Sequence, residues 1–172
     1  IFVKSISEDK DGNIWVASES NGIFLFDLKS KKFTSYLNYI KSKTTYLVSY
    51  VNQETLLIYV EPLYKTSSFI QFNPKTKKSK TIYLNPKNSK KVVVNNFYQL
   101  YKNKFLLATN QGVYLYNIET KKTKPYFSHF DSQKGIINIT DIQVSKEKTF
   151  LSTSGKGLYT IYKGGISKSG KI

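Results

Sequence analysis

Val3-Lys-Ser-Ile-Ser-Glu-Asp-Lys-Asp-Gly-Asn-Ile-Trp-Val-Ala-Ser18, continued by Glu19-Ser-Asn-Gly-Ile-Phe-Leu-Phe-Asp27 and a Lys-rich turn ending at Phe33, is the stretch from which the fold can be read. Three short runs rich in β-branched and aromatic residues are separated by Asp11-Gly12 and Asn21-Gly22, which is how a meander of antiparallel hairpins is written. The pattern recurs. Gly22-Ile-Phe-Leu-Phe26 is echoed by Gly112-Val-Tyr-Leu-Tyr116 and Gly157-Leu-Tyr-Thr-Ile161, with a weaker copy at Ser68-Phe-Ile-Gln-Phe72. Anchors at 22, 68, 112 and 157 give steps of 46, 44 and 45 residues.

A repeat of about 40 to 45 residues carrying four strands is the signature of β-propeller blades. The chain is therefore expected to be all-β, a single propeller segment over residues 1–172 with blades at about 1–37, 38–84, 85–127 and 128–172. The expected strands are Val3 to Glu8, Ile14 to Ser18, Gly22 to Asp27 and Phe33 to Leu37 in the first blade, and Tyr46 to Val51, Leu56 to Val60, Phe69 to Phe72 and Thr81 to Leu84 in the second. The third has Phe97 to Tyr101, Phe105 to Thr109, Gly112 to Asn117 and Thr123 to Phe127; the fourth has Ile139 to Val144, Thr149 to Thr153, Gly157 to Tyr162 and Gly165 to Lys168. No helix is called for. The inner strands are expected to be buried on both faces. Trp15, matched in register by Leu106 and Phe150, is expected to pack between neighbouring blades.

With 172 residues the chain can bury a real core, and 40% hydrophobic and 15% aromatic content sets it apart from disordered chains. The formal charge is +16, but every one of the 27 basic residues is Lys. Arg supplies the bidentate contacts by which guanine and phosphate are recognised, so its absence speaks against nucleic acid as a partner. No Cys is present, which excludes disulfides, thiolate metal sites and cysteine nucleophiles. No apolar run reaches the length of a membrane-spanning helix.

The run Val3-x-x-Ile6-x-Glu8-Asp9-x-Asp11-Gly12-Asn13-Ile14-Trp15-Val16-Ala17-Ser18, with Asn21-Gly22-Ile23-Phe24-x-Phe26-Asp27, resembles the two-component-regulator propeller repeat. Leu106-Leu107-Ala108-Thr109-x-x-Gly112-Val113-Tyr114 and Thr153-x-x-x-Gly157-Leu158-Tyr159 keep parts of it, whereas the second blade lacks both Gly and Trp. That repeat builds the extracytoplasmic sensor region of hybrid two-component systems in gut Bacteroidetes. The resemblance implies a periplasmic sensor module that binds an oligosaccharide or other small ligand and signals to a histidine kinase. It implies no cofactor and no enzymatic activity. The remaining blades of the same sensor would be its partners, and a transmembrane segment outside this stretch its link to the membrane. By the same comparison the chain corresponds to roughly half of one seven-bladed propeller, whose uncovered apolar blade faces invite a homodimer.

Three motifs have plainer explanations. Asp9-Lys-Asp-Gly-Asn13 starts like a calcium loop, but its twelfth position, which must carry a carboxylate, is Ser20; a hairpin turn accounts for it. His129, beside Asp131, has neither the spatially assembled triad nor the second His or Cys that catalysis or metal binding needs. Ten lysines, Lys29, Lys31, Lys32, Lys75, Lys77, Lys78, Lys80, Lys121, Lys122 and Lys124, fall in the turns between third and fourth strands, where charge guards strand edges or attracts an anionic polymer.

The irregular connections are where function sits on a rigid scaffold. They carry Tyr39, Glu61, Tyr64, Asn110, Gln111, His129, Phe130 and Asp131, aromatic platforms beside amides and carboxylates suited to stacking on sugar rings and bonding their hydroxyls. The same residues would suit a scaffold for protein partners. A third reading, a propeller lyase of the streptogramin-inactivating type, requires a clustered acid/base pair that one His and 11 carboxylates scarcely supply.

Overall fold

The structure is a computed structural model that describes residues 1–60, 67–84, 92–126, 137–146 and 148–162, and the backbone of 165–168. It divides into two compact units, Ile1–Leu84 and Asn85–Ile172. Each holds two four-stranded antiparallel sheets whose strands follow chain order. In the first unit these are β1 (Val3–Glu8), β2 (Ile14–Ser18), β3 (Gly22–Asp27) and β4 (Lys32–Ser35), then, after the one-turn helix α1 (Leu37–Ile40), β5 (Leu47–Asn52), β6 (Thr55–Val60), β7 (Ser68–Phe72) and β8 (Ser79–Tyr83). The second unit holds β9 (Val94–Tyr101), β10 (Lys104–Thr109), β11 (Gly112–Asn117) and β12 (Lys122–Pro125), then β13 (Ile139–Ser145), β14 (Lys148–Thr153), β15 (Gly157–Tyr162) and β16 (Gly165–Lys168).

All sixteen expected strands are present, with ends shifted by up to three residues. The turns explain why. Gly12 and Gly22 take φ of 81° and 75°, as the Asp-Gly and Asn-Gly signals require. Gly22 is also sterically fixed, because a Cβ there would meet Ser42 O at 3.0 Å and Leu37 Cδ1 at 3.1 Å. Asp9 Oδ1 accepts the backbone N–H groups of Asp11 and Asn13 at 2.9 and 3.0 Å, so its carboxylate organises the β1–β2 turn. The β3–β4, β7–β8 and β11–β12 turns share one device. Asp27 accepts from Ser30 N, Asn73 from Thr76 N and Asn117 from Thr120 N, and Lys31, Lys77 and Lys121 then adopt positive φ. The N–H of Ser30, with its hydroxyl, holds the Asp27 carboxyl below the usual carboxylate range.

Strand alternation gives every sheet two faces. In the first unit Trp15, Ala17, Ile23 and Leu25 project from one face of β2 and β3 into a cluster with Val48, Leu56, Ile58, Ile70 and Phe72 of the next sheet. The second unit repeats the arrangement. Leu106, Ala108, Val113 and Leu115 lie in one cluster with Ile142, Leu151, Tyr159 and Ile161. Trp15 and Leu106 occupy the same register position and are 2% and 0% exposed, as expected of a residue between blades; Phe150 is half-buried. Polar bonds lock the sheets in step. Ser5 and Ser7 Oγ accept from Val48 N and Tyr50 N at 3.3 and 2.9 Å, and the buried Thr45 hydroxyl lies 2.9 Å from Ser18 O and accepts Ser18 N–H at 3.1 Å.

Two expectations need correction. The link after β4 is helical for one turn, because Leu37 and Ile40 then lie on one side and Ile40 reaches the core at 4% exposure. Four residues are too few to show that period in sequence. Nor are the first strands buried on both faces. β1 is mostly exposed and β5 half-buried, while every residue of β6 after Thr55 is buried. A first strand is the edge of its sheet, with a hydrogen-bonded neighbour on one side only, so the second strand becomes the centre of the core.

Trp15 Nε1–H is buried with no hydrogen-bond partner among the described residues. Trp15→Phe should therefore cost little, under about 1.5 kcal/mol, whereas Trp15→Ala should cost about 3–5 kcal/mol. Urea titration separates the two; equal losses would refute the packing role. Burial pushes the Tyr116 phenol up to about 12. The folded chain then holds that proton more tightly than the unfolded chain, whose tyrosines ionise near about 10. Its contribution is complete below about pH 10 and is lost as pH rises towards about 12. Tyr116→Phe should accordingly gain stability relative to wild type between about pH 9 and 11.5 in denaturant midpoints.

Candidate ligand-binding surface

In the first, third and fourth sheets the last residue of the second strand is Ser18, Thr109 or Thr153, and its side chain closes the turn that follows. Ser18 Oγ accepts from Asn21 N at 3.2 Å, while Thr109 and Thr153 donate to Gly112 O and Gly157 O at 2.8 and 2.7 Å. The following residue ties back to the start of the first strand. Glu19 N, Asn110 N and Ser154 N donate to Phe2 O, Val93 O and Asn138 O at 3.1, 3.1 and 2.9 Å. Asn110 adds a side-chain bond, its Oδ1 accepting from Val93 N at 2.9 Å. Of the predicted site residues, Asn110 thus anchors the entrance to β9. Its neighbour Gln111 is half-buried, with its N–H on Thr109 Oγ1 at 3.0 Å.

Tyr39 stands on α1 and is 43% exposed. It stacks on Phe72 at 6.5 Å and 25°, and both contact Tyr36, which packs on Trp15 at 5.0 Å. Lys77 Nζ lies 4.3 Å from the Tyr36 ring centre and 5.7 Å from that of Tyr39, and donates to Tyr36 Oη at 3.1 Å. Ser79 Oγ donates to Tyr39 O at 3.0 Å. The β7–β8 hairpin therefore holds the Tyr39 ring at the surface by aromatic stacking, a cation on a ring face and one hydrogen bond.

Beside this ring, where β5–β6 and β7–β8 turn, is an open depression of about 250 Å³ lined by Glu54, Thr55, Gln71, Phe72, Asn73, Lys78, Ser79 and Lys80. Lys75 spans the two turns, its Nζ on Gln53 Oε1 at 3.1 Å, and Asn52 Oδ1 fixes the turn by accepting Glu54 N–H at 2.9 Å. A carboxylate, two amides, two hydroxyls and two ammonium groups line it together with Phe72, the mixture that orients a hydroxylated ligand. Sequence reading found the lysines of this turn but not Glu54, Thr55 or Gln71. They come together across strands through the Leu56↔Phe72 and Gln71↔Lys80 registers, and no local motif marks them. Glu61, Tyr64, His129, Phe130 and Asp131 lie outside the described residues. Among the described residues no three His, Cys, Asp or Glu groups cluster as metal ligands.

Sheets of four sequential antiparallel strands, stacked face to face by a repeated code, define β-propeller blades. Residues 1–20 match the family model of the two component regulator propeller, which places that repeat on the first blade. The chain is similar to the extracellular domain of the hybrid two component system BT4673 from B. thetaiotaomicron, with a TM-score of 0.72 and 15% identity, covering 97% of this chain and 22% of that one. It is similar to the corresponding domain of BT3049 from the same organism, with a TM-score of 0.71 and 18% identity over 99% of this chain and 22% of that one. The β-propeller domain of Cps50 (Swd1) from Myceliophteria thermophila matches with a TM-score of 0.64 and 13% identity, over 93% of this chain and 51% of that one. The chain thus spans about a fifth of the two extracellular domains it resembles. No curated protein matches its sequence.

Asn110→Ala should leave Val93 N–H without its side-chain acceptor and cost about 1–2 kcal/mol, with faster amide exchange at Val93. Unchanged exchange there would remove the anchoring role.

Proposed function

We propose that this chain is part of an extracytoplasmic, periplasmic sensor that binds an oligosaccharide and passes the bound state to a histidine kinase. The observation that carries this reading is the two component regulator propeller match on the first blade, together with the propeller fold it shares with extracellular domains of hybrid two component systems. The chain's own chemistry supports a saccharide. Tyr39 offers an aromatic side chain at the surface for a sugar to pack on, and Glu54, Gln71, Ser79 and Lys80 in the adjoining depression supply donors and acceptors for hydroxyls. Binding suits these groups: a single carboxylate, amides, hydroxyls and the ammonium groups of Lys78 and Lys80 are hydrogen-bonding partners for a hydroxylated ligand.

Calorimetry of the full chain against a panel of host and plant oligosaccharides tests the proposal. Heat is expected with at least one structural class, and Glu54→Gln or Tyr39→Ala should weaken it about tenfold, the worth of one charged hydrogen bond or one stacked ring. Silence across the panel would overturn the saccharide reading. Heat unaffected by both substitutions would move the site away from this depression.

A further inference from the structure

The second sheet departs from the repeat at its outer, turn-side corner. Trp15↔Leu25 in the first sheet and Leu106↔Leu115 in the third are apolar pairs across the second and third strands, and both belong to the apolar layer between sheets. At the same register the second sheet has Leu57↔Gln71, an amide in place of a leucine, and Lys80 pairs with that amide from the outermost strand. Two positions nearer the turn, the first sheet opposes Lys32 with Asp27, a base with an acid. The second sheet opposes Lys78 with neutral Asn73, whose N–H donates to Lys78 O at 2.8 Å.

Strand alternation puts Gln71, Asn73, Lys78 and Lys80 on one face, where they line the depression described above together with Glu54 and Thr55 of the neighbouring turn. Burial falls outward, from fully buried Leu57 through half-buried Gln71 and Asn73 to exposed Lys78 and Lys80. The lysines of the hairpin divide into two pairs. Lys75 is engaged by Gln53 Oε1, and Lys77 by the hydroxyl and ring of Tyr36. The ammonium groups of Lys78 and Lys80 have no ion-pair or hydrogen-bond partner among the described residues, Glu54 of the same depression included. Asn73 Oδ1 is occupied by Lys75 N and Thr76 N, at 2.9 Å each, so its amide turns a donor towards the ligand space. Two unpaired cations and a donor therefore stand on one side of the depression and one carboxylate on the other.

We infer that this depression takes an acidic saccharide, one whose sugar bears a carboxylate or sulfate group, and that Lys78 and Lys80 receive the anionic group. The inference rests on the saccharide reading above and narrows it. Glu54 sets the direction of binding: it repels an anion from the β5–β6 turn and accepts hydroxyl protons there, while the acid group is drawn to the lysines of β8 and its lead-in. Lysine suits the role, because a compact ammonium on a flexible stem meets either kind of anion without the planar match that arginine provides. Both side chains are exposed, so each contact should raise affinity by no more than about fivefold and should weaken as salt is added.

Calorimetry of the full chain tests it with two matched pairs: tetragalacturonate against its methyl ester, and a sulfated galactose tetrasaccharide against the unsulfated sugar. A tetraglutamate peptide supplies the same charge without a sugar. At about 20 mM salt at least one acid should bind about tenfold more tightly than its uncharged form, and at about 0.5 M salt the preference should shrink to about twofold. The pair that shows the preference identifies the group as carboxylate or sulfate. Lys78→Gln together with Lys80→Gln should abolish the preference. Lysines that act only as hydrogen-bond donors would instead lower both affinities of a pair and leave their ratio unchanged. Equal affinity within both pairs would overturn the inference and leave the saccharide reading intact. Silence from all four sugars, and from the wider panel, would remove both. An acid preference that survives the double substitution, or tetraglutamate binding as tightly as the acidic sugars, would also overturn the inference.

Discussion

The structure depends on one sheet face being buried on the next, in register. Because side chains alternate along a strand, slipping β2 by one residue would turn Trp15 and Ala17 away from the second sheet and present Val16 and Ile14 in their place. Each fully buried Leu or Ile contributes about 1.5–3 kcal/mol, against about 1 kcal/mol net for a typical hydrogen bond. The apolar layer therefore supplies most of the cohesion. The Ser5, Ser7 and Thr45 bonds contribute less energy but are directional, and they select one register among several that would bury similar area.

The same layer explains how the turns are free to differ. A bulky residue at the Trp15 or Leu106 position is followed, two residues on, by alanine in both units, and the small side chain leaves room for the facing sheet. With the faces so determined, the strand ends need only reverse direction. They do so with Asx-type turns that leave a lysine at positive φ, a conformation that costs a side-chain-bearing residue roughly 1–2 kcal/mol. Among the described residues, the five non-glycine positions with positive φ are all Lys. In the second blade that lysine, Lys77, lies over Tyr36 and Tyr39, so a turn of the scaffold becomes a wall of the candidate site.

Much of the fold was legible because its signals are local. Asp11-Gly12, Asn21-Gly22 and the recurring Gly-aromatic anchors lie within a few residues of the turns they specify, and the strands between them alternate cleanly. The site was less legible because its chemistry is not local. Asn110 reads as a free surface amide until β9 is placed beside it and Val93 N–H fills its acceptor. Glu54 and Gln71 acquire meaning only from strand register. Tyr39 was visible as an aromatic in an irregular link, but its support from Phe72 and Lys77 is a tertiary fact. The exposure of β1 was misjudged for a related reason. A strand's sequence shows how apolar it is, not whether it lies at the edge of its sheet.

Charge placement closes the physical account. Lys32, Lys80, Lys122 and Lys124 stand not in the turns but on the outermost strands β4, β8 and β12, whose open edges would otherwise pair with any extended chain. Like charges along such an edge repel a second copy arriving edge-on, where backbone hydrogen bonds would form. The apolar clusters through which the sheets of each unit pack hold no Lys, Asp or Glu among the described residues. Electrostatics therefore closes the edge-to-edge route that leads to uncontrolled aggregation and leaves open the face-to-face route that the fold itself uses. A chain with +16 charge and exposed aromatic residues can in this way remain soluble while keeping its blade faces apolar enough to stack.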